Sequence, residues 1–99
     1  MEINVTNEGE KATVALVGHL NTGTAGELED TLMPVVESST DVTIDLSELE
    51  YVSSAGLRVL LSAHKSLAAK EGKLTITNPQ DSVREVFEIT GLNEALNIE

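Results

Sequence analysis

The sequence contains no cysteine and no tryptophan, and its only aromatic residues are Tyr51 and Phe87. Without cysteine, disulfides, thiolate metal sites and cysteine nucleophiles are excluded. With so few aromatics, the core has to be built from Leu, Val, Ile and Ala. No apolar run is long enough to span a bilayer, and the N-terminus, MEINVTNEGE, is acidic where a secretory leader would be basic. A cytoplasmic chain with no membrane insertion is the expectation. Asn4-Val5-Thr6 matches a glycosylation acceptor, which carries no weight without a leader. Cations are also scarce: six Lys and Arg stand against 17 Asp and Glu, a net charge of −11. The imbalance is concentrated upstream, because eleven acids and one cation, Lys11, precede Ser54. Such a chain repels nucleic acid and anionic membrane and suits a basic protein partner; solubility alone is the plainer reading of the charge.

What is present is one domain's worth of alternating elements, spanning residues 1–99. Ile3 and Val5 alternate with polar residues up to a turn at Asn7-Glu8-Gly9-Glu10, and Ala12–Val17 returns as a second, more apolar strand. After a loop at 18–23, Ala25, Leu28, Leu32, Val35 and Val36 recur at helical spacing, with Thr22 or Thr24 as N-cap. Pro34 should kink the last turns of that helix. Val42–Leu46 is a third strand, apolar enough to be buried on both faces. A second helix from Ser54 to Ala69 turns Leu57, Leu60, Leu61, His64 and Leu67 to one side, with Gly72 as its left-handed cap. Leu74–Ile76 is a fourth strand. Asn78 as N-cap and Pro79 as first helical residue then open a third helix, which buries Val83, Val86 and Phe87 and stops at Gly91. Leu96–Ile98 is a possible closing strand.

The order β-β-α-β-α-β-α predicts an α/β fold on a mixed sheet of four to five strands. Two helices of crossover length make strands two, three and four parallel, and only the first strand is hairpin-paired. In parallel units the loops at the strands' carboxyl ends gather on one edge, where α/β domains keep their sites. Here those loops are 18–22, 47–54 and 78–79. The serine-rich turn Ser53-Ser54-Ala55-Gly56 therefore shares an edge with Asn21 and Thr22.

Enzymatic readings of that edge fail on residue type. A serine hydrolase elbow requires Gly two residues before the nucleophile, and Val52 stands there. His64 falls on an apolar helix face, and His19 has no carboxylate evidently placed to orient it. No phosphate-binding Gly-x-x-x-x-Gly-Lys pattern occurs, and Asp45, Glu48 and Glu50 match no metal-loop spacing. No cofactor is implied. Two readings of the turn remain. Ser53 or Ser54 caps the second helix, worth about 1 kcal/mol, or one of them is a modification site, since a helix N-terminus accepts a phosphate's charge.

Asp45-Leu46-Ser47, followed by Tyr51-Val52-Ser53-Ser54-Ala55-Gly56-Leu57-Arg58-Val59-Leu60-Leu61, resembles the core signature of STAS domains, particularly single-domain anti-sigma factor antagonists of bacteria. Gly18-His19-Leu20-Asn21-Thr22 resembles that family's Gly-x-Leu-Asp loop, and Phe87-Glu88-Ile89-Thr90-Gly91-Leu92 resembles its C-terminal helix ending. The resemblance covers nearly the whole chain, with three motifs in order. It implies helices packed mainly on one face of the sheet and a non-enzymatic partner switch. In that switch the unmodified protein binds an ATP-dependent anti-sigma factor serine kinase and frees a sigma factor. The kinase then phosphorylates a signature serine, breaking the complex, and a phosphatase resets it. That serine maps onto Ser54, with Ser53 in the position usually held by Asp and as the alternative acceptor; Asn21 replaces the usual Asp of the earlier loop. By the same resemblance, Asn21, Thr22, Ser53, Ser54, Ala55, Gly56 and Arg58 form the partner-binding surface. The other reading is a STAS interaction subunit of a lipid-transport or sensory assembly, in which the serines only cap a helix.

Overall fold

In the computed structural model, which describes residues 1–99, strands β1 (Glu2–Glu8) and β2 (Lys11–Leu20) form an antiparallel hairpin. Its turn needs Gly9, which takes a positive φ of 67° as the first of two turn residues, where such hairpins favour glycine. Helix α1 (Thr22–Ser38) leads to β3 (Asp41–Val52), α2 (Ser54–Ala69) to β4 (Lys73–Thr77), and α3 (Asp81–Thr90) with a short α4 (Leu92–Ala95) to β5 (Asn97–Ile98). The sheet order is β1-β2-β3-β4-β5, with every pair after the first parallel. All three crossovers step in the same direction across the sheet. Right-handed connections therefore bring the helices to one face.

The burial pattern agrees with that layering. Ala12, Val14, Leu16 and Leu20 of β2 and Val42, Ile44 and Leu46 of β3 are buried and join Leu28, Leu32, Leu60 and Leu67 in one aliphatic core. Their neighbours Thr13, Ala15, Thr43 and Asp45 point the other way and stay partly open. Phe87 is fully buried, while Tyr51 is 49% exposed. The five expected apolar positions of the first helix are all buried, and the helix continues through Pro34 to Ser38. The Ser38 hydroxyl, turned back on its own helix, lies within hydrogen-bond reach of the Pro34 carbonyl (3.1 Å).

Several local expectations are corrected. The third strand is not confined to Val42–Leu46 but runs on to Val52, so most of 47–54 is strand and not loop. Two register shifts against β2, between Ala15 and Val17 and between Gly18 and His19, absorb two surplus β3 residues. Buried positions accordingly step Val42, Ile44, Leu46, Leu49, Val52. The step of three at each bulge returns the next apolar residue to the core. Bulged backbone groups need partners, and side chains supply them. Asp45 Oδ1 accepts from Ser47 N (3.0 Å), Gln80 Nε2 donates to Ser47 O (2.9 Å), and Ser82 Oγ reaches Glu50 O (3.5 Å). Asp45 is thus occupied locally, and no metal-holding group forms with Glu48 and Glu50.

The helix ends also differ from expectation. Asn78 is not the N-cap of α3. It adopts a left-handed φ of 55° and Gln80 takes the cap position, with no side-chain cap bond; its Nε2 donates to Ser47 O. Gly72 is not the left-handed residue after α2 either. Glu71 is, at φ 63°. The bonds Glu71 N to Ala68 O (3.1 Å) and Gly72 N to Leu67 O (2.7 Å) close a Schellman motif. Gly72 is required for a different reason: a Cβ there would stand 2.6 Å from the Thr40 carbonyl oxygen.

Candidate functional site

Two helix N-termini lie side by side at the carboxyl ends of β2 and β3. The first is capped by Asn21, not by Thr22 or Thr24 as the sequence suggested. Asn21 Oδ1 accepts from Thr24 N (3.0 Å), and Asn21 N donates to Thr24 Oγ1 (2.8 Å), a reciprocal capping box. Thr24 Oγ1 also lies 2.9 Å from the carbonyl of His19, which ties the helix start to the end of β2. Thr22 is the first helical residue and is exposed. The second N-terminus is capped by Ser53, whose Oγ accepts from Gly56 N at 3.3 Å.

The two caps form one unit through Leu20. Ser53 N donates to Leu20 O (2.8 Å). The Leu20 side chain is fully buried, which contributes about 1.5–3 kcal/mol, and it lies directly against Gly56. A Cβ on Gly56 would come within 2.4 Å of Leu20 Cγ. The Gly of the signature is therefore needed for close approach, its φ being ordinary for a helix.

Within this frame the two serines have different surroundings. Ser53 is half-buried and its oxygen holds the Gly56 amide. Ser54, the first residue of α2, is exposed, and its hydroxyl makes no hydrogen bond to the rest of the chain. Ala55 is half-buried beside it, and Arg58 is exposed one turn later. Arg58 separates two open grooves. One lies between α1 and α2, among Ala25, Gly26, Glu29, Ala55 and Ser62. The other lies between α2 and the α3–α4 corner and includes Ser54. The seven positions expected from the sequence, Asn21, Thr22, Ser53, Ser54, Ala55, Gly56 and Arg58, thus belong to the starts of α1 and α2. Three of them, Asn21, Ser53 and Gly56, hold the local backbone, and the rest offer side chains or edges outward.

Sequence reasoning passed over the support beneath this edge. Gln80 and Ser82 brace the bulged end of β3 from the start of α3. His19 and Tyr51 are register partners two residues before the respective caps, with ring centroids 6.5 Å apart. The signal was present in the phase: His19 lies two residues before Asn21, as Tyr51 does before Ser53, on strands ending level.

Residues 3–98 match a family model described as "Mlab, STAS domain". Among curated proteins, the chain is 43% identical over 77 residues to BtrV of Bordetella bronchiseptica, named as an anti-sigma factor antagonist. That match covers 77% of this chain and 66% of BtrV. It is 29% identical over 99 residues to an anti-sigma-B factor antagonist of Staphylococcus aureus, covering 99% of this chain and 92% of that one. Among solved structures it superposes on the anti-sigma factor antagonist SpoIIAA in its unphosphorylated form with a TM-score of 0.86 at 20% identity, covering 99% of this chain and 88% of that one.

Proposed function

The chain belongs to the STAS domain family, and from that premise we propose that it is an anti-sigma factor antagonist working by partner switching. The unmodified form binds an anti-sigma factor kinase and thereby frees a sigma factor. Phosphorylation of Ser54 breaks the complex, and a cognate phosphatase restores it. The chain itself is no enzyme and carries no cofactor; the kinase brings the ATP. Its place of work is the cytoplasm, and no helix is long and apolar enough to cross a membrane.

The observation that carries this reading is the contrast between the two serines. An exposed, unengaged hydroxyl at the first position of a helix is reachable by a kinase. The phosphate, at about −1.5 to −2 charges, would meet free backbone N–H groups and the helix dipole, so the fold tolerates it. A docked partner would not. Ser53 is the poorer acceptor because its oxygen already closes the helix. The same contrast accounts for Ser in the family's Asp position, since Ser and Asp cap a helix equally well. Asn21 replaces the other Asp on the same terms.

The test is to incubate the purified chain with its anti-sigma kinase and ATP and to map phosphate by mass spectrometry. One phosphate on Ser54, none in Ser54→Ala, and dissociation of the complex on modification are expected. Absence of phosphate from both serines, or a complex that survives it, would sink the switch. A second reading rests on Ser53, which caps α2 whether or not Ser54 is ever modified. In it the chain is an interaction subunit of another assembly, such as a lipid-transport or sensory complex, and binds its partner regardless of Ser54.

A further inference from the structure

The two outermost strands of the sheet are built differently. β5 is two residues long, the kind of short edge strand that discourages pairing with another chain. β1 is seven residues long and pairs with β2 in unbroken register from Glu2↔Val17 to Glu8↔Lys11. No proline and no bulge interrupts it, and its only guard is charge, Glu2 and Glu8 at the two ends. Glu8 and Lys11 flank a two-residue loop and so form the first hydrogen-bonded pair of the hairpin. Alternation then turns the backbone N–H and C=O of Glu8, Thr6, Asn4 and Glu2 toward β2. Those of Ile3, Val5 and Asn7 point outward, where the sheet has no further strand and no turn or loop hydrogen bond reaches them. The side chains sort by face. Ile3 and Val5 stand opposite Leu16 and Val14 on the helix-bearing face; Ile3 packs against the core, and Val5 is 36% exposed at its rim. Glu2, Asn4, Thr6 and Glu8 lie exposed on the other face. β1 has no basic side chain, and Lys11, opposite Glu8, has Asp41 on its other side.

We propose that the free side of β1 takes an extended basic segment of a partner protein as an added strand, with apolar side chains beside Ile3 and Val5 and a cation opposite each of Glu2 and Glu8. In this mode of recognition the main-chain bonds of Ile3, Val5 and Asn7 supply affinity, and the alternating side chains select the occupant. Charge complementarity excludes a second copy. An antiparallel pairing of two copies that uses the whole strand is centred on Val5 and sets Glu2 of each copy opposite Glu8 of the other. It also brings −11 against −11. A segment whose cations are spaced as these two acids turns both repulsions into attractions. The surface involves no residue of the two helix starts, so it stands or falls independently of the partner-switching reading.

The test titrates the whole chain with the end-capped peptide KVTVTVK, whose lysines match the spacing of Glu2 and Glu8, and with EVTVTVE as its charge-reversed control. Amide hydrogen exchange followed by NMR reads where the peptide sits. With KVTVTVK, exchange at Ile3, Val5 and Asn7 should slow, while the amides of the two helix starts keep their rates. Val5→Pro removes one outward N–H without touching a bond to β2. It should melt like wild type and bind KVTVTVK about tenfold more weakly. The double variant Glu2→Lys, Glu8→Lys should reverse the preference and take EVTVTVE over KVTVTVK. Failure of KVTVTVK to bind, equal binding of the two peptides by wild type, or protection located away from β1 overturns the proposal. So does a wild-type dimer in sedimentation that Val5→Pro dissolves, because the occupant is then a second copy. Phosphate uptake at Ser54 is read in a separate assay, and each of these results leaves the switch standing.

Discussion

The two ends of the sheet are closed by different means. At the amino ends of the parallel strands, the chain is knitted by long-range backbone bonds: Thr40 N and Asp41 N to Glu10 O, and Lys73 N to Thr40 O. Lys70 adds a cation at the C-terminus of α1, donating through Nζ to Val36 O and, at 3.1 Å, to Glu37 O, where the helix dipole favours positive charge. At the carboxyl ends, Asn21, Thr24 and Ser53 satisfy the helix starts locally, and the Ser54 hydroxyl is left over. The amino edge has unbonded hydroxyls too, Ser39 buried and Thr40 at a strand start, but only the carboxyl edge sets an exposed one on the first turn of a helix. Spare hydroxyls are common to both ends; a spare hydroxyl at a helix start is not.

The sharpest way to break this comparison uses one glycine from each end. Gly56→Ala pushes a methyl into Leu20, and Gly72→Ala pushes one into the Thr40 carbonyl. Each should lower stability by about 1–3 kcal/mol, read from urea unfolding. Only Gly56→Ala should also alter phosphorylation of Ser54 by the kinase, because Leu20 carries the Ser53 cap. Equal effects of the two variants on phosphorylation would mean that global stability, not local geometry, controls the serine.

Ser53 gives a finer test. Ser53→Ala should lose about 1 kcal/mol, while Ser53→Asp should stay within about 0.5 kcal/mol of wild type, since Asp caps as well as Ser. If both variants matched wild type in denaturant melts, the hydrogen bond to Gly56 N would be contributing nothing. The smallest effect belongs to the far end. Lys70→Met removes a dipole-facing cation and should cost about 0.5–1 kcal/mol with no change in phosphate uptake. A Lys70→Met chain modified at an altered rate would show that the two ends communicate.

Much of this architecture is legible in the residues. The 3.6-residue period of Ala25, Leu28, Leu32, Val35 and Val36 predicts the buried face of α1, all of it buried as expected. The order of elements follows from the alternation of such segments with short apolar strands. What escapes is wherever local chemistry offers several equivalent solutions or tertiary contacts decide. Asn21, Thr22 and Thr24 are all good caps, and only the pairing of β2 with β3 selects Asn21. Glu71 occupies the left-handed position because Gly72 is needed smaller, not freer, against Thr40. α4 is a single turn of four residues, too short for any period to show. The end of β3 defeats a period-two reading outright, because its apolar residues change step at Leu49 and Val52. At the site, the positions of Ser53 and Ser54 follow from the signature, whereas their division of labour emerges only from the bond between Ser53 Oγ and Gly56 N.

The bulged strand has one more consequence. β3 spends twelve residues where β2 spends ten, and yet Lys11 pairs with Asp41 and Leu20 with Val52, so the two strands start and finish level. The surplus is stored between Leu46 and Val52. A one-residue deletion in a uniform strand turns every following side chain to the wrong face. Removing Ser47 instead leaves Leu46, Glu48 and Leu49 in plain alternation, with the inward phase of the core intact. The approach to Ser54 is therefore the part of the sheet where the chain tolerates a change in length.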